Sequence, residues 1–205
     1  MSRTSAPAVA LVDAGGANFA SVRHALERQG ARVALARDAD GLRDVDCIVL
    51  PGVGAATPAM RLLRERGLDE GLRTTEVPLL GICLGMQLLF EHSAEGDVAG
   101  LGLLPGRVEA LAAGTGVRIP HMGWNSVWPT RASPLFEGLA AGVAMYFVHG
   151  FAAPETDACV ASSVHGAPFA AAAQRGHVFG VQFHPERSAA AGACLLANFL
   201  QVPPP

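Results

Sequence analysis

The first half of the chain alternates short apolar runs with segments whose apolar residues recur at helical spacing. Phe19, Val22 and Leu26 share one face of such a segment, and Gly30 closes it. This alternation is typical of α/β proteins with a mostly parallel central sheet flanked by helices. The predicted strands are residues 8–13, 32–36, 46–50 and 78–82, and the predicted helices begin near Asn18 and cover residues 57–66 and 84–91.

The second half changes to short apolar runs separated by glycine and proline, which predicts antiparallel strands added to the sheet. Neither a repeat nor a linker interrupts the pattern, so residues 1–205 are predicted to form a single domain. An alanine-rich helix over residues 188–201 ends the chain, with an apolar stripe of Ala193, Leu196, Ala197 and Leu200. The predicted strands are residues 106–111, 116–119, 144–148, 158–163, 168–173 and 177–183.

The composition indicates a folded protein with a well-filled core, but it does not indicate a reaction. Half of the residues are hydrophobic and 16% are charged, as expected for a chain with a well-filled core. With 15 Lys and Arg against 18 Asp and Glu there is no basic stripe, which argues against nucleic acid as a partner. The first apolar run is too short for a signal sequence or a membrane span, so we expect a cytoplasmic protein.

Cys83 differs from the other cysteines because it lies in a Gly-x-Cys-x-Gly string between a predicted strand and a predicted helix. A change from strand to helix within one residue forces strained dihedrals, and the flanking glycines Gly81 and Gly85 avoid the resulting clashes. This geometry predicts an exposed thiol whose thiolate form is favoured by the positive end of the helix. Cys83 is therefore the candidate nucleophile, whereas Cys47, Cys159 and Cys194 are expected to be small buried hydrophobes.

A general base for this cysteine is predicted at the end of the last strand, in the string His184-Pro185-Glu186. His184 would take the thiol proton, and Glu186 would orient and stabilise the charged imidazole. No group of His, Cys, Asp and Glu has metal-ligand spacing, and no dinucleotide or phosphate-loop fingerprint occurs. We therefore expect neither a metal nor a cofactor. His24 and His92, on predicted helices, and His177, which opens a strand, are expected to be solvated or to cap an element, without a chemical role.

Backbone donors for an oxyanion are predicted from the string Pro51-Gly52-Val53-Gly54, which follows another predicted strand. In a parallel sheet it would meet Cys83 at the carboxyl edge, where ligands bind in open α/β folds. The N–H groups of Gly52, Val53 and Leu84 are the candidate donors for a tetrahedral intermediate.

The elbow, the oxyanion strand and the His-Pro-Glu ending together resemble the class I, triad-type glutamine amidotransferases, in the same order and over nearly the whole chain. The resemblance implies that Cys83 attacks the side-chain amide of L-glutamine, that ammonia leaves, and that water releases glutamate from a thioester. It also implies that Gln87, His149 and Gly150 contact the substrate.

Strings that include Trp124-Asn125 and Tyr146-Phe147-Val148-His149 resemble those of the glutaminase subunits of imidazole glycerol phosphate synthases, as does the opening around Asn18. The resemblance implies a heterodimer in histidine biosynthesis, in which ammonia passes through a channel into a barrel-shaped cyclase subunit. It would place Asn18, Trp124 and Asn125 at the interface with that partner.

Departures from the family pattern occur at Ala14, Gly150 and His165, where the resemblance leads us to expect tyrosine, serine and tyrosine. Alternatives therefore stay open: the glutaminase subunit of another synthase such as anthranilate synthase, a cysteine peptidase of the same fold, or a silent binding relative. A flip of a peptide bond in residues 51–55 is a further hypothesis, because it would add or remove one oxyanion donor and so switch activity.

Overall fold

The computed structural model describes residues 6–15, 19–112 and 114–204, and its strands form one large and one small sheet. The predicted α/β class with a mixed sheet is confirmed. The strands in this described part are β1 (Ala8–Val12), β2 (Arg32–Ala36), β3 (Cys47–Gly52), β4 (Leu79–Cys83), β5 (Phe90–Ser93), β6 (Val98–Ala99), β7 (Leu104–Ala110), β8 (His121–Pro129), β9 (Val143–His149), β10 (Phe151–Ala152), β11 (Cys159–His165), β12 (Ala167–Arg175) and β13 (Val178–Val181).

The large sheet has the strand order β2-β1-β3-β4-β13-β12-β11-β8-β9. Strands β1, β2, β3, β4 and β13 are parallel, and β12, β11, β8 and β9 are antiparallel to their neighbours. The small sheet has the order β10-β7-β5-β6. The change from parallel to antiparallel pairing that the sequence predicts thus occurs within one sheet.

The helices in the described residues are α1 (Phe19–Arg28), α2 (Ala56–Glu65), α3 (Leu68–Arg73), α4 (Leu84–Leu89) and α5 (Ala189–Leu200). None of them is long and apolar enough to cross a membrane. Leu196 and Leu200 of α5 are buried as predicted, but Leu195 and Phe199 complete the buried stripe instead of Ala193 and Ala197. The larger side chains occupy the core-facing positions because they bury more apolar area.

Parallel pairing brings three strand ends to one edge of the large sheet. Gly52 at the end of β3 lies opposite Cys83 at the end of β4, and Val181 at the end of β13 lies opposite Ile82. The chain segments that carry the predicted nucleophile, base and oxyanion donors therefore leave the sheet side by side. This is the position where ligands bind in open α/β sheets.

The strand predicted at residues 116–119 is wrong, because only an isolated bridge joins Gly114 and Val117, and β8 begins at His121. Strand β8 was not predicted from the sequence. Its outward-facing residues Met122, Trp124 and Trp128 are apolar and exposed, so the usual alternation of apolar inside and polar outside is lost.

The helix predicted at residues 84–91 ends at Leu89, and Phe90 begins β5. His92, expected on a helix, consequently lies on a strand. Helix α3 was not predicted either. Gly71 interrupts its six residues, and so short a helix shows little apolar periodicity.

The first turn of α4 packs directly on the backbone of β3. A Cβ atom on Gly85 would overlap the carbonyl oxygen of Leu50, and one on Gly52 would lie 2.8 Å from the nitrogen of Gly85. No side chain fits between these two backbones. The turn that follows Cys83 is therefore fixed against the strand that leads to the predicted oxyanion segment.

We expect Gly85→Ala to lower the free energy of unfolding by about 3 kcal/mol, at the upper end for overpacking, because neither backbone can yield to the added methyl group. Urea unfolding followed by circular dichroism measures the change. Gly150→Ala is the matched control, since a methyl group added at Gly150 would have no atom within 4 Å. Equal stabilities of the two variants would contradict this account of the packing.

Candidate active site

Cys83 lies at the junction of β4 and α4 with φ +55° and ψ −112°, a backbone conformation that L-residues rarely adopt. Such strain persists only where the surrounding structure holds it, and it is frequent at catalytic residues. The expectation of an exposed thiol is wrong, because Cys83 is only 6% exposed. The carbonyl oxygen of Val148 on β9 lies 3.6 Å from the sulfur and covers it.

His184 and Glu186 follow β13 and lie together beside Cys83. The His184 Nδ1–H group donates to Glu186 Oε1 at 2.9 Å, and the Glu186 side chain is 0% exposed. His184 also interacts with Cys83, and both residues line the same cavity. The His184 N–H donates to the Tyr146 carbonyl at 2.8 Å, and the Ser188 hydroxyl donates to the His184 carbonyl at 2.7 Å. The predicted base is thus fixed to β9.

The charge state of His184 follows from these partners. Burial by itself lowers the pKa of this imidazole, but hydrogen bonds and charge interactions with Cys83 and Glu186 outweigh burial and raise the pKa to about 10. At neutral pH the ring is therefore an imidazolium beside the sulfur. An imidazolium in this position can protonate the group that leaves when the sulfur attacks a carbonyl carbon.

Cys83 opens into a cavity of about 290 Å³. This is close to the lower end of the size range of small-molecule sites, about 300 Å³. The predicted substrate residues Gln87, His149 and Gly150 line it. A larger cavity of about 590 Å³ lies beside Arg131 and Arg175 and includes none of the predicted site residues.

The predicted oxyanion residues differ in their positions. Val53 and Leu84 line the cavity, together with Gly54 at φ +99°. Gly52 lies behind them, opposite Cys83 in the ladder between β3 and β4. The backbone of residues 53 and 54 and that of Leu84 therefore face the cavity from two adjacent strand ends.

Gln182 is a site residue that the sequence analysis did not identify. Its Nε2 lies 3.8 Å from the Cys83 sulfur, and its Oε1 accepts a hydrogen bond of 2.9 Å from Gln87 Nε2. The second N–H of Gln87 donates to the Phe151 carbonyl at 2.8 Å. The Gln87 nitrogen is therefore used within the protein, which leaves its oxygen for the predicted contact with a substrate. The position of Gln182, directly after β13, was the available signal.

Glu95 was also missed, and it is the acidic residue that lines the cavity. Its Oε2 accepts a hydrogen bond of 2.8 Å from the N–H of Ala56, the first residue of α2. Ala55 has no side chain that could cap this helix, so Glu95 supplies the acceptor from a distant part of the chain. An isolated glutamate after a short strand carries no sequence signal for either role.

Comparison with known proteins identifies the family. The model of class I glutamine amidotransferases matches residues 10–202. The imidazole glycerol phosphate synthase subunit HisH of Xanthomonas axonopodis pv. citri is 58% identical over 194 residues, which are 95% of this chain and 97% of the relative. The subunit of the same name from Xylella fastidiosa strain Temecula1 is 56% identical with the same coverage. The chain belongs to the HisH family of class I glutamine amidotransferases.

Solved structures agree with the fold of this amidotransferase. A crystal structure of a glutamine amidotransferase matches with a TM-score of 0.72 at 22% identity, covering 92% of this chain and 98% of the other. PurLQS from Thermotoga maritima also gives 0.72, at 23% identity, covering 95% of this chain and 98% of that one. At these identities the likeness establishes the fold alone, and the predicted family and fold are confirmed.

The three departures from the family pattern occupy distinct environments in this amidotransferase. Ala14 is buried after β1. A Cβ atom on Gly150 would meet no atom within 4 Å, so the site has room for a side chain there. His165 stacks on His121 with ring centroids 4.1 Å apart and hydrogen-bonds the Arg118 carbonyl at 2.7 Å.

The outer face of β8 carries an apolar patch. Met122 is 65% and Trp124 56% exposed, and the Trp124 ring packs edge-on against Tyr146 at 5.9 Å. Asn125 is half-buried, and its amide nitrogen donates to the carbonyl of Val164 at 2.9 Å. Asn18, the third predicted interface residue, lies outside the described residues. Exposed aromatic residues of this kind are enriched in protein interfaces.

A cluster of histidines connects this strand with the cavity. His121 Nδ1 lies 3.0 Å from His149 Nε2. Burial and the neighbouring His165 lower the pKa of His121 to about 4, and burial chiefly lowers the pKa of His149 to about 3. Both rings are therefore neutral at pH 7. Within the described residues no group of His, Cys, Asp and Glu has the arrangement of a metal site.

The neutral rings of His121 and His149 predict a loss of stability in acid. Their pKa values in the folded protein lie below the value of 6.5 for an unfolded chain, so below about pH 6.5 the unfolded state binds more protons. The free energy of unfolding should fall by about 1.4 kcal/mol per pH unit for each ring as the pH drops toward 4. Urea titrations between pH 7 and 4 measure this slope.

His121→Phe keeps an aromatic ring against Phe147 and His165, and it should reduce the slope by the contribution of one ring. His24→Gln removes an exposed histidine of α1 and should leave the slope unchanged. If His121→Phe left the slope unchanged, His121 would not contribute to the pH dependence of the free energy of unfolding.

Proposed function

We propose that this amidotransferase hydrolyses L-glutamine to glutamate and ammonia at Cys83, and that it supplies the ammonia to a cyclase subunit of imidazole glycerol phosphate synthase in histidine biosynthesis. The observation that carries the proposal is the shared cavity. Cys83, His184 and Glu95 line it in a chain whose relatives at 56–58% identity are HisH subunits of that synthase.

The chemistry follows the placement of the side chains. The Cys83 thiolate attacks the carbon of the glutamine amide and forms a tetrahedral intermediate with a negative oxygen. Leu84 and residues 53 and 54 line the same cavity, and we assign their N–H groups as the donors for this oxygen. His184 gives its proton to the departing nitrogen, so ammonia leaves and a thioester with Cys83 remains.

The second half of the reaction uses the same residues in reverse. Neutral His184 takes a proton from water, the resulting hydroxide attacks the thioester, and glutamate leaves as Cys83 regains its thiolate. Glu186 stabilises the imidazolium in both halves through its 2.9 Å hydrogen bond. One water is consumed and one ammonia is released, and the catalytic groups return to their starting state.

Glu95 is the group that we assign to the substrate ammonium. One of its oxygens caps α2, and the other is available on the same carboxylate at the cavity wall. Gln87, Gly150 and Phe151 also line this cavity. A negative wall residue favours the charged amino group of an amino acid over an uncharged amide.

The apolar patch on β8 is the surface that we assign to the cyclase partner. It comprises Met122, Trp124 and Trp128, and His121 and Asn125 connect the same strand with the cavity. A partner seated on this face would be close enough to influence the site. We therefore propose that partner binding switches glutaminase activity on, with the backbone of residues 51–55 as the moving segment.

We expect the isolated chain to release little glutamate and the assembled synthase to release it readily. Cys83→Ala should lower glutamate release in the complex by about a thousandfold or more, because it removes the nucleophile and leaves the rest of the site. Its partner affinity, measured by isothermal titration, should equal that of the unmodified chain. Cys194→Ala, on α5 and away from the cavity, is the control.

Full glutaminase activity of the free chain would contradict the switch, and retained activity in Cys83→Ala would contradict the assigned nucleophile. Peptide release from casein without glutamate release would favour the peptidase alternative. Recovery of a chorismate-using enzyme in place of the cyclase would assign the chain to anthranilate synthesis.

Glu95→Gln should raise the KM for glutamine in the complex by at least about tenfold with a smaller change in kcat, because a charge-assisted hydrogen bond is lost and the amide oxygen still caps α2. Steady-state glutamate release measures both constants. Glu91→Gln is the matched control, since Glu91 accepts from the Gly106 N–H outside the cavity. Equal KM values in the two variants would remove Glu95 from the substrate site.

A further inference from the structure

A continuous series of hydrogen bonds joins Asn125 on β8 to the sulfur of Cys83, and every member of it has one possible direction of donation. We propose that Gln182 is the positioning residue for the Cys83 sulfur, and that Gln87 and the Phe151 carbonyl, the inner members of this series, set the orientation of its amide. We name the whole series the amide–imidazole relay. The relay comprises Asn125, His121, His149, the Phe151 carbonyl, Gln87 and Gln182. The inference rests on the proposed reaction at Cys83.

The orientation of the Asn125 amide is fixed at the outer end. Its Oδ1 accepts a hydrogen bond of 2.8 Å from the Ser126 N–H, and its Nδ2 donates to the Val164 carbonyl at 2.9 Å. A flipped amide would place hydrogens against the N–H group and an oxygen against the carbonyl. Nδ2 must therefore face His121 Nε2, 3.3 Å away, and donate to it.

The tautomers of both histidines follow from their partners. The Phe151 carbonyl can only accept, so His149 Nδ1, at 2.9 Å, carries the hydrogen. Both rings are neutral at pH 7, so each ring carries a single N–H hydrogen. His149 Nε2 is then an acceptor for His121 Nδ1–H, and His121 Nε2 is an acceptor for Asn125. Each ring is held as the Nδ1–H tautomer.

The Phe151 carbonyl joins the two halves of the relay because it accepts from both His149 and Gln87. A carbonyl oxygen has two lone pairs, and both are used here. Gln87 therefore points both N–H groups at acceptors, one of which is Gln182 Oε1 at 2.9 Å. This contact forces the Gln182 nitrogen toward the sulfur at 3.8 Å.

The Cys83 sulfur consequently lies between one group that favours its thiol form and two groups that favour its thiolate form. The Val148 carbonyl at 3.6 Å accepts from a thiol and repels a thiolate, whereas the Gln182 N–H and the His184 imidazolium favour the thiolate. If Gln182 reversed its amide, two acceptors would face the sulfur. Gln87 prevents that reversal, because it would have to turn its own amide as well, and its oxygen would then face the Phe151 carbonyl oxygen.

The first test measures the sulfur directly. Alkylation of Cys83 by iodoacetamide at pH 7, followed by mass spectrometry of the Cys83 peptide, reports the available thiolate and needs neither glutamine nor partner. Gln182→Met, which lacks the donor, should slow alkylation about tenfold and move the midpoint of its pH profile upward. Gln182→Glu, of the same shape but with an acceptor facing the sulfur, should slow it further. Gln174→Met on β12 is the control.

The second test measures the relay. Nitrogen-15 NMR of the full chain at pH 7 should show His121 and His149 both as Nδ1–H tautomers. Asn125→Asp replaces the outermost donor by an acceptor, so His121 should change to the Nε2–H tautomer, whereas the rate of Cys83 alkylation should stay the same, because the Phe151 carbonyl still accepts from Gln87. Ser126→Ala, on the next residue, should change neither the spectrum nor the rate.

The results separate the possible failures. Unchanged alkylation in both Gln182 variants, with circular dichroism showing intact folds, would overturn the role of Gln182. An Nε2–H signal from either histidine in the unmodified chain would overturn the relay. A chain that behaves as expected in alkylation but releases no glutamate with its partner would contradict the proposed function and leave this inference standing.

Discussion

The site depends on the contact between two backbones, where the first turn of α4 lies against β3 with only the hydrogen atoms of Gly52 and Gly85 between them. This contact leaves no other path for the chain after β4, so Cys83 adopts φ +55° and the helix begins immediately. The strain at one residue is thereby offset by the packing of two strands and a helix. It also brings Leu84 and Val53, which follow two different strands, to the cavity beside the sulfur.

Pairing of the strands also determines which charged and polar groups surround the Cys83 sulfur. Parallel pairing of β4 with β13 brings Gln182 and His184 to Cys83, and antiparallel pairing of β8 with β9 brings Val148 and His149 over it. The parallel half of the sheet thus carries the candidate nucleophile and base, and the antiparallel half packs against them. A buried thiolate beside an imidazolium is stable only in such a prepared environment.

Local motifs and the alternation of elements were sufficient to predict the fold class, the strand-to-helix turn at Cys83 and the adjacency of His184 and Glu186. What the sequence could not reveal depends on distant pairing. The burial of Cys83 comes from Val148, 65 residues away along the chain, and Gln182 acts through Gln87, 95 residues away. Strand β8 was not predicted for a related reason. Its outward-facing positions carry exposed tryptophans, so the alternation of apolar and polar residues that marks a strand is missing.

The hydrogen bond from Ala56 to Glu95 has a consequence for how this protein can change over evolutionary time. A single carboxylate caps helix α2 and forms part of the cavity wall, so the residue stabilises the helix and, in the proposed reaction, also binds the substrate. Two requirements then restrict substitutions at position 95. A residue that met only one of them, the cap of α2 or the cavity wall, would still be selected against. Selection for a sturdier helix and selection for a better site are, at this position, the same selection.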